Sequence, residues 1–98
     1  MTITKTQDQN SLTLFLEGRL DTTTSPQLEA ELSASLGGVT HLTLDLSKLA
    51  YLSSAGLRVI LSAQKRMNKQ GQMIVRNVND TIMEVFEVTG FVDILTIQ

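Results

Sequence analysis

Two adjacent serines, Ser53 and Ser54, are the residues whose type and position could support regulatory chemistry. They lie in segment 51–57, between an apolar stretch typical of a strand and an amphipathic helical pattern. Backbone N–H groups and the helix dipole favour an anion at a helix N-terminus. A phosphate added there would change the surface charge without breaking the fold, so the segment is a candidate phosphorylation switch. The alternative for Ser54 is structural, since a serine that caps a helix contributes ~1 kcal/mol.

No other residues form a recognisable catalytic or metal-binding set. The one histidine, His41, has no neighbouring motif that would supply a nucleophile and its base. Segment 53–56 lacks the glycine two residues before the serine that a nucleophile elbow requires. The chain has no Walker-type loop, no acidic metal cluster and no cysteine. The sequence therefore predicts a protein that is not an enzyme and that needs no cofactor or metal.

The composition of the 98 residues is that of one globular domain, with 42% apolar and 18% charged residues. A formal net charge of -2 gives no general attraction to nucleic acid. Lys65, Arg66 and Lys69 cluster on the polar side of a helical pattern, which is typical of a solvated face. The lack of cysteine permits a reducing compartment, and no segment is apolar for long enough to cross a bilayer. We therefore expect one cytoplasmic domain over residues 1–98, without membrane insertion or nucleic-acid binding.

Hydrophobic periodicity and turn residues predict strands and helices along the whole chain. Strands are expected at residues 2–7, 11–18, 41–46, 73–76 and 94–97. Helices are expected between Ser25 and the glycine pair 37–38, over residues 54–68, and from an N-cap at Asn79 to a stop at Gly90. Ser25 is the predicted N-cap of the first helix, with Pro26 at its first position. The fold class is α/β, a single domain with a mixed, mostly parallel sheet of about five strands and about three or four helices.

The strand and loop around the two serines resemble the STAS domains of bacterial anti-sigma-factor antagonists. The specific part of the likeness is Leu-Asp-Leu-Ser at residues 44–47, followed by Tyr-Leu-Ser-Ser-Ala-Gly-Leu-Arg-Val-Ile at residues 51–60. Two further segments support it. Residues 18–21 resemble the early acidic loop of the family, and residues 87–91 resemble its closing helix and glycine turn. The likeness covers nearly the whole chain and implies a STAS-like fold.

The resemblance also implies a phosphorylation site and its partners. In that family a serine at the start of the helix is phosphorylated by a partner that is both an anti-sigma factor and a serine kinase. That serine corresponds to Ser54, while Ser53 stands where the family often has aspartate and is the second candidate acceptor. The unphosphorylated protein is expected to bind the kinase and free a sigma factor. A serine phosphatase of the metal-dependent class would reset the switch.

The residues implied to bind the partner surround the acceptor. They are Asp21, Ser53, Ser54, Ala55, Gly56 and Leu57. Asp21 is alternatively a loop aspartate that ends a strand. Gly56 would permit close backbone approach or serve packing alone. Asp45 would either brace the loop by hydrogen bonds or lie exposed at the strand end. A monomer is expected, because a partner-binding loop needs no symmetric interface.

Two other functions stay open from the sequence. STAS domains also occur without phosphorylation as subunits of lipid-transport complexes and stress-signalling scaffolds. Ser53 in place of the usual aspartate favours that alternative. The third is a hydrolase or nucleotide-binding enzyme, for which the chain has no motif.

Overall fold

The computed structural model describes residues 1–98 and contains four strands, three α-helices and one short 3-10 helix. In chain order these are β1 (Thr2–Asp8), β2 (Ser11–Leu20), α1 (Ser25–Ser35), β3 (His41–Leu52), α2 (Ser54–Gln70), β4 (Gln72–Arg76), α3 (Asp80–Val88) and the 3-10 helix Phe91–Asp93. The strands form one sheet in the order β1-β2-β3-β4. β1 and β2 are antiparallel, and the other two pairs are parallel. The predicted α/β class and mixed, mostly parallel sheet are confirmed.

The fifth strand predicted at residues 94–97 is reduced to a single bridge between Ile97 and Val75 of β4. The Val75 N–H donates to the Thr96 carbonyl, and the Gln98 N–H donates to the Val75 carbonyl, both at 2.9 Å. Pairing goes no further because Phe91–Asp93 winds into the 3-10 helix and leaves few extended residues beside β4. The sheet therefore has four strands rather than five.

Both helical crossovers place their helices on the same face of the sheet. β2-α1-β3 and β3-α2-β4 connect parallel neighbours in the same direction, and such crossovers are right-handed. The strands pair their apolar residues in register on that face, with Leu14 beside Leu44 and Leu44 beside Val75. These side chains are fully buried and belong to one hydrophobic core. No helix of the structure is both long and apolar enough to cross a membrane.

Strand β3 is twice as long as the predicted strand at residues 41–46, because its pairing with β2 continues to Leu52 through two shifts of register. The shifts lie opposite Phe15–Glu17 and Gly18–Arg19, and each leaves one extra residue in β3. As a result Leu46, Leu49 and Leu52 are all buried although they are three residues apart. These bulges carry β3 on to Leu52, directly before the two serines.

The start of α1 differs by one residue from the prediction. Thr24 occupies the N-cap position and Ser25 is the first helical residue. The Ser25 side chain is buried, and its hydroxyl donates to the Asp21 carbonyl instead of accepting from the first turn. Asp21 therefore ends β2 and helps to begin α1.

Candidate functional site

The two serines at the start of α2 have different structural roles. Ser53 is the N-cap, and its hydroxyl accepts a hydrogen bond from the Gly56 N–H at 3.3 Å. Ser54 is the first helical residue, and its side chain is exposed and forms no hydrogen bond within the chain. The capping role considered for Ser54 thus belongs to Ser53. Ser54 has a free hydroxyl at the positive end of a 17-residue helix.

Capping by Ser53 bears on the aspartate that the resemblance to STAS domains implies at this position. Serine and aspartate are both preferred N-cap residues, since each offers an oxygen to a helix N–H without an intrahelical partner. Ser53 therefore preserves the start of the helix while removing one negative charge beside Ser54. The substitution changes the electrostatics of the loop more than its geometry.

The loop is fixed to the end of β2 by its backbone. The Ser53 N–H donates to the Leu20 carbonyl at 2.9 Å. Gly56 packs against the same residue: a Cβ atom on Gly56 would lie 2.7 Å from Leu20 Cγ and 2.8 Å from Leu52 Cδ1. Gly56 therefore serves mainly packing against two leucine side chains, and the Leu20 carbonyl oxygen, 3.0 Å from the same Cβ position, adds a backbone contact.

Replacing Gly56 with alanine should lower the free energy of unfolding by about 1–3 kcal/mol, because Leu20 and Leu52 must move to admit the methyl group. Urea unfolding followed by circular dichroism measures the change. Gly37→Ala is the matched control, since no atom lies within 4 Å of a Cβ at that position. Equal midpoints for the two variants would contradict the packing argument.

Asp21 braces the neighbouring loop with its carboxylate. Its Oδ1 accepts hydrogen bonds from the Thr23 hydroxyl at 2.8 Å, the Thr23 N–H at 3.0 Å and the Thr24 N–H at 3.1 Å. The Thr23 hydroxyl contributes most, and together these donors outweigh partial desolvation and lower the pKa of Asp21 to about 2. Asp21 is therefore an ionised, half-exposed group that follows β2 and braces the loop, the structural role considered for it, while its contact with a partner stays a prediction.

Arg19 and Tyr51 form a pair beside the loop that the sequence analysis did not identify. They are register partners at the ends of β2 and β3. The Arg19 guanidinium carbon lies 4.0 Å from the centre of the Tyr51 ring, and Arg19 Nε lies 3.4 Å from Asp21 Oδ2. Tyr51 is 41% exposed. Tyrosine and arginine are both enriched among the residues that contribute most to protein interfaces. The position of Tyr51, two residues before Ser53, is the feature of the sequence that could have identified it.

Asp45 lies apart from the serines and supports β3. It is buried, and its carboxylate accepts hydrogen bonds from the Ser47 N–H at 3.0 Å, Asn77 Nδ2 at 2.8 Å and Arg76 Nε at 3.2 Å. Burial raises the pKa of Asp45, but these donors outweigh it and hold the pKa below its ordinary value. Asp45 braces the first bulge of β3, so its effect on the serine loop is indirect.

The other predicted site residues differ in how deeply they are buried. Ala55 is half-buried beside Ser54, whereas Gly56 and Leu57 are buried beneath the loop. Gly56 and Leu57 can therefore act on a partner only by shaping the loop. The accessible surface consists of Ser54 with parts of Ser53 and Ala55.

The serine loop lines neither of the two cavities of the structure. The largest cavity, about 310 Å³, lies on the helix-free face of the sheet, between Phe15, Glu17 and Lys48. No group of three or more histidine or carboxylate side chains is placed to hold a metal ion. An exposed hydroxyl outside a cavity suits modification by, and contact with, another protein.

Comparisons with known proteins concern the family and the fold of the chain. The family description that matches is the STAS domain, over residues 2–98. A Bordetella bronchiseptica protein named as a candidate anti-sigma factor antagonist, BtrV, is 36% identical over 99% of this chain and 85% of its own length. The anti-sigma-B factor antagonist of Listeria monocytogenes is 29% identical over 96% of this chain and 84% of its own length.

Among solved structures, the fold is similar to that of the anti-sigma factor antagonist SpoIIAA in its unphosphorylated form. The TM-score is 0.85 at 20% sequence identity, over 99% of this chain and 88% of that one. Identity at this level concerns the fold alone. It places the four-stranded sheet and the helix that follows the serine loop in a known arrangement.

Proposed function

The chain belongs to the STAS domain family, and from that premise we propose that it is an anti-sigma factor antagonist that works by partner switching. Unphosphorylated, it binds an anti-sigma factor that is also a serine kinase, and so frees a sigma factor. Phosphorylation of Ser54 ends the complex, and a serine phosphatase of the metal-dependent class restores it. The observation that carries the proposal is the free, exposed Ser54 hydroxyl beside a neighbouring serine that already caps α2.

The physical chemistry of α2 supports Ser54 as the acceptor. A phosphate adds about two negative charges, and the N-terminal end of a helix stabilises them through its N–H groups and its dipole. The domain itself therefore tolerates the modification. A partner fitted to a neutral hydroxyl instead meets added bulk and charge, and like charges at an interface can cost several kcal/mol.

The proposed partner-binding surface consists of exposed residues around Ser54 and of buried residues that support the loop. Ser54 is its centre, with Ser53, Ala55 and the ionised Asp21 around it. Tyr51 extends it as an exposed aromatic group. Gly56 and Leu57 support it from beneath the loop.

Alanine substitutions of the two serines should separate the acceptor from the cap. With the anti-sigma kinase of the source organism and ATP, Ser54→Ala should gain no phosphate and keep its stability. Ser53→Ala should still be phosphorylated at Ser54 but lose about 1 kcal/mol of stability, because the Gly56 N–H loses its acceptor. Mass-spectrometric site mapping and urea unfolding measure the two effects.

The opposite pattern would refute this assignment. Phosphate found on Ser53 in the native protein would move the acceptor by one residue and leave Ser54 without its role. A protein that stays unmodified in its native cell, during both growth and stress, would favour the non-phosphorylated scaffold or transport-subunit role.

A further inference from the structure

Helix α2 carries half of the positive charge of the chain. It contains four of the eight basic residues and no acidic residue. These four, Arg58, Lys65, Arg66 and Lys69, are all exposed, and none takes part in an ion pair. At 3.6 residues per turn they lie, together with Ser54, within an arc of about 120° around the helix. We call these four residues the basic stripe.

The rest of the molecule has the opposite charge. Outside α2 the chain has four basic and ten acidic residues, a net charge of -6 against +4 on α2. The neighbouring helices contribute to this asymmetry: α1 has Glu29 and Glu31, and α3 has acidic residues but no basic one. Positive charge is thus concentrated on one face of one helix.

We propose that the basic stripe is the docking surface for an acidic face of the anti-sigma partner that contacts Ser54. This inference rests on the proposed function. Arg58 lies one helical turn after Ser54, and the stripe continues to Lys69, about 17 Å along the helix axis from Arg58. A globular partner that covers Ser54 and extends along α2 must lie over these unpaired cations. Only an acidic surface would complement them.

Other polyanions fit the stripe less well. Nucleic acid or an anionic membrane would extend beyond the stripe to the rest of the chain, whose net charge of -6 repels it. Glu29 of α1 also lines the same groove as Arg66, so the stripe has an acidic border. A second copy could offer the acidic side of α3, which contains Asp80, Glu84 and Glu87. The oligomeric state of the chain distinguishes a second copy from the anti-sigma partner.

The stripe also connects docking with phosphorylation. Residues four apart on a helix are neighbours, so a phosphate on Ser54 lies within reach of Arg58. The phosphate then pairs with Arg58, the first residue of the basic stripe. In the unphosphorylated complex a partner carboxylate contacts Arg58 instead. Phosphorylation thus removes an attractive contact and adds a repulsive one.

The test uses the purified anti-sigma partner of the source organism and measures association rates by stopped flow. The double variant Lys65→Gln/Lys69→Gln, which changes the net charge by the same amount as the single control below, should associate at least about tenfold more slowly at low ionic strength, with the difference shrinking as salt is added. Lys48→Glu is the matched control, because Lys48 is exposed on β3 and lies off the helices. It should stay within about twofold of the native rate. Unchanged thermal unfolding checks that the double variant is folded.

Each contrary result has a distinct meaning. A native association rate for the double variant, while Ser54→Asp loses binding, would overturn the docking surface and leave the proposed function standing. Native binding by Ser54→Asp would overturn the proposed function, and this inference with it. A dimer in sedimentation equilibrium that the double variant loses would assign the stripe to a second copy and overturn the proposal. Binding to a DNA duplex or to phosphatidylserine vesicles at physiological ionic strength, lost in the double variant, would overturn it equally.

Discussion

Replacing Ser54 with aspartate should lower the affinity for the anti-sigma partner at least about a hundredfold and leave the domain folded. The carboxylate stands in for the phosphate at the centre of the proposed surface, and it adds a negative charge where the native loop has a neutral hydroxyl. An acidic residue in the first turn of α2 is favourable to the helix, so the loss should come from the interface. Titration calorimetry gives the affinity, and circular dichroism the folded state.

The control for this substitution is Thr81→Asp. Thr81 is exposed and is the second residue of α3, so the variant places the same new charge in the first turn of another helix, outside the proposed surface. It should bind as the native protein does. Ser54→Ala should also bind, because it removes only the hydroxyl. If Ser54→Asp and Thr81→Asp bound with equal affinity, a charge at Ser54 could not be the switch.

The features that the sequence predicted well are those set by neighbouring residues. The cap at Asn79 is one example, since its Oδ1 accepts from the Ile82 N–H at 2.9 Å. Gly90 is another: it ends the third helical region with φ of 78°, a conformation that glycine adopts without strain. The strand before the serines and the helix after them were likewise predicted from local periodicity and capping residues.

What the sequence did not reveal depends on contacts between distant segments. The bulges of β3 arise from its register against β2, and they break the period-two pattern that identifies a strand. The contact of Arg19 with Tyr51 depends on the same register. The choice between Ser53 and Ser54 as cap depends on where α2 begins, and helix boundaries are uncertain by one or two residues when read from a pattern. The residue types of the site were therefore predictable, but not their division of roles.

Replacing Gly71 with alanine should give the largest loss of stability, about 3 kcal/mol in the free energy of unfolding. Gly71 joins α2 to β4, where a Cβ atom would lie 1.9 Å from the Thr40 carbonyl oxygen and 2.6 Å from the Thr40 carbonyl carbon. The obstacle is space rather than backbone conformation, since φ is 172°, an extended value. For a domain of this size, such a loss lowers the melting temperature by about 12–24 °C.

The loss should be large because the obstructing atoms belong to the backbone and cannot turn aside as a side chain can. The Thr40 carbonyl also accepts the Gln72 N–H at 2.9 Å, which begins the pairing of β4 with β3. Admitting a methyl group therefore displaces the first residue of a strand, whereas Gly37→Ala meets no atom within 4 Å and should unfold as the native protein does. Calorimetric melting of both variants decides the point, and equal melting temperatures would contradict it.

Because Gly71 lies at the opposite end of α2 from Ser54, the folded fraction of Gly71→Ala should still bind the partner with native affinity. That combination would separate the stability of the domain from the function of its serine loop.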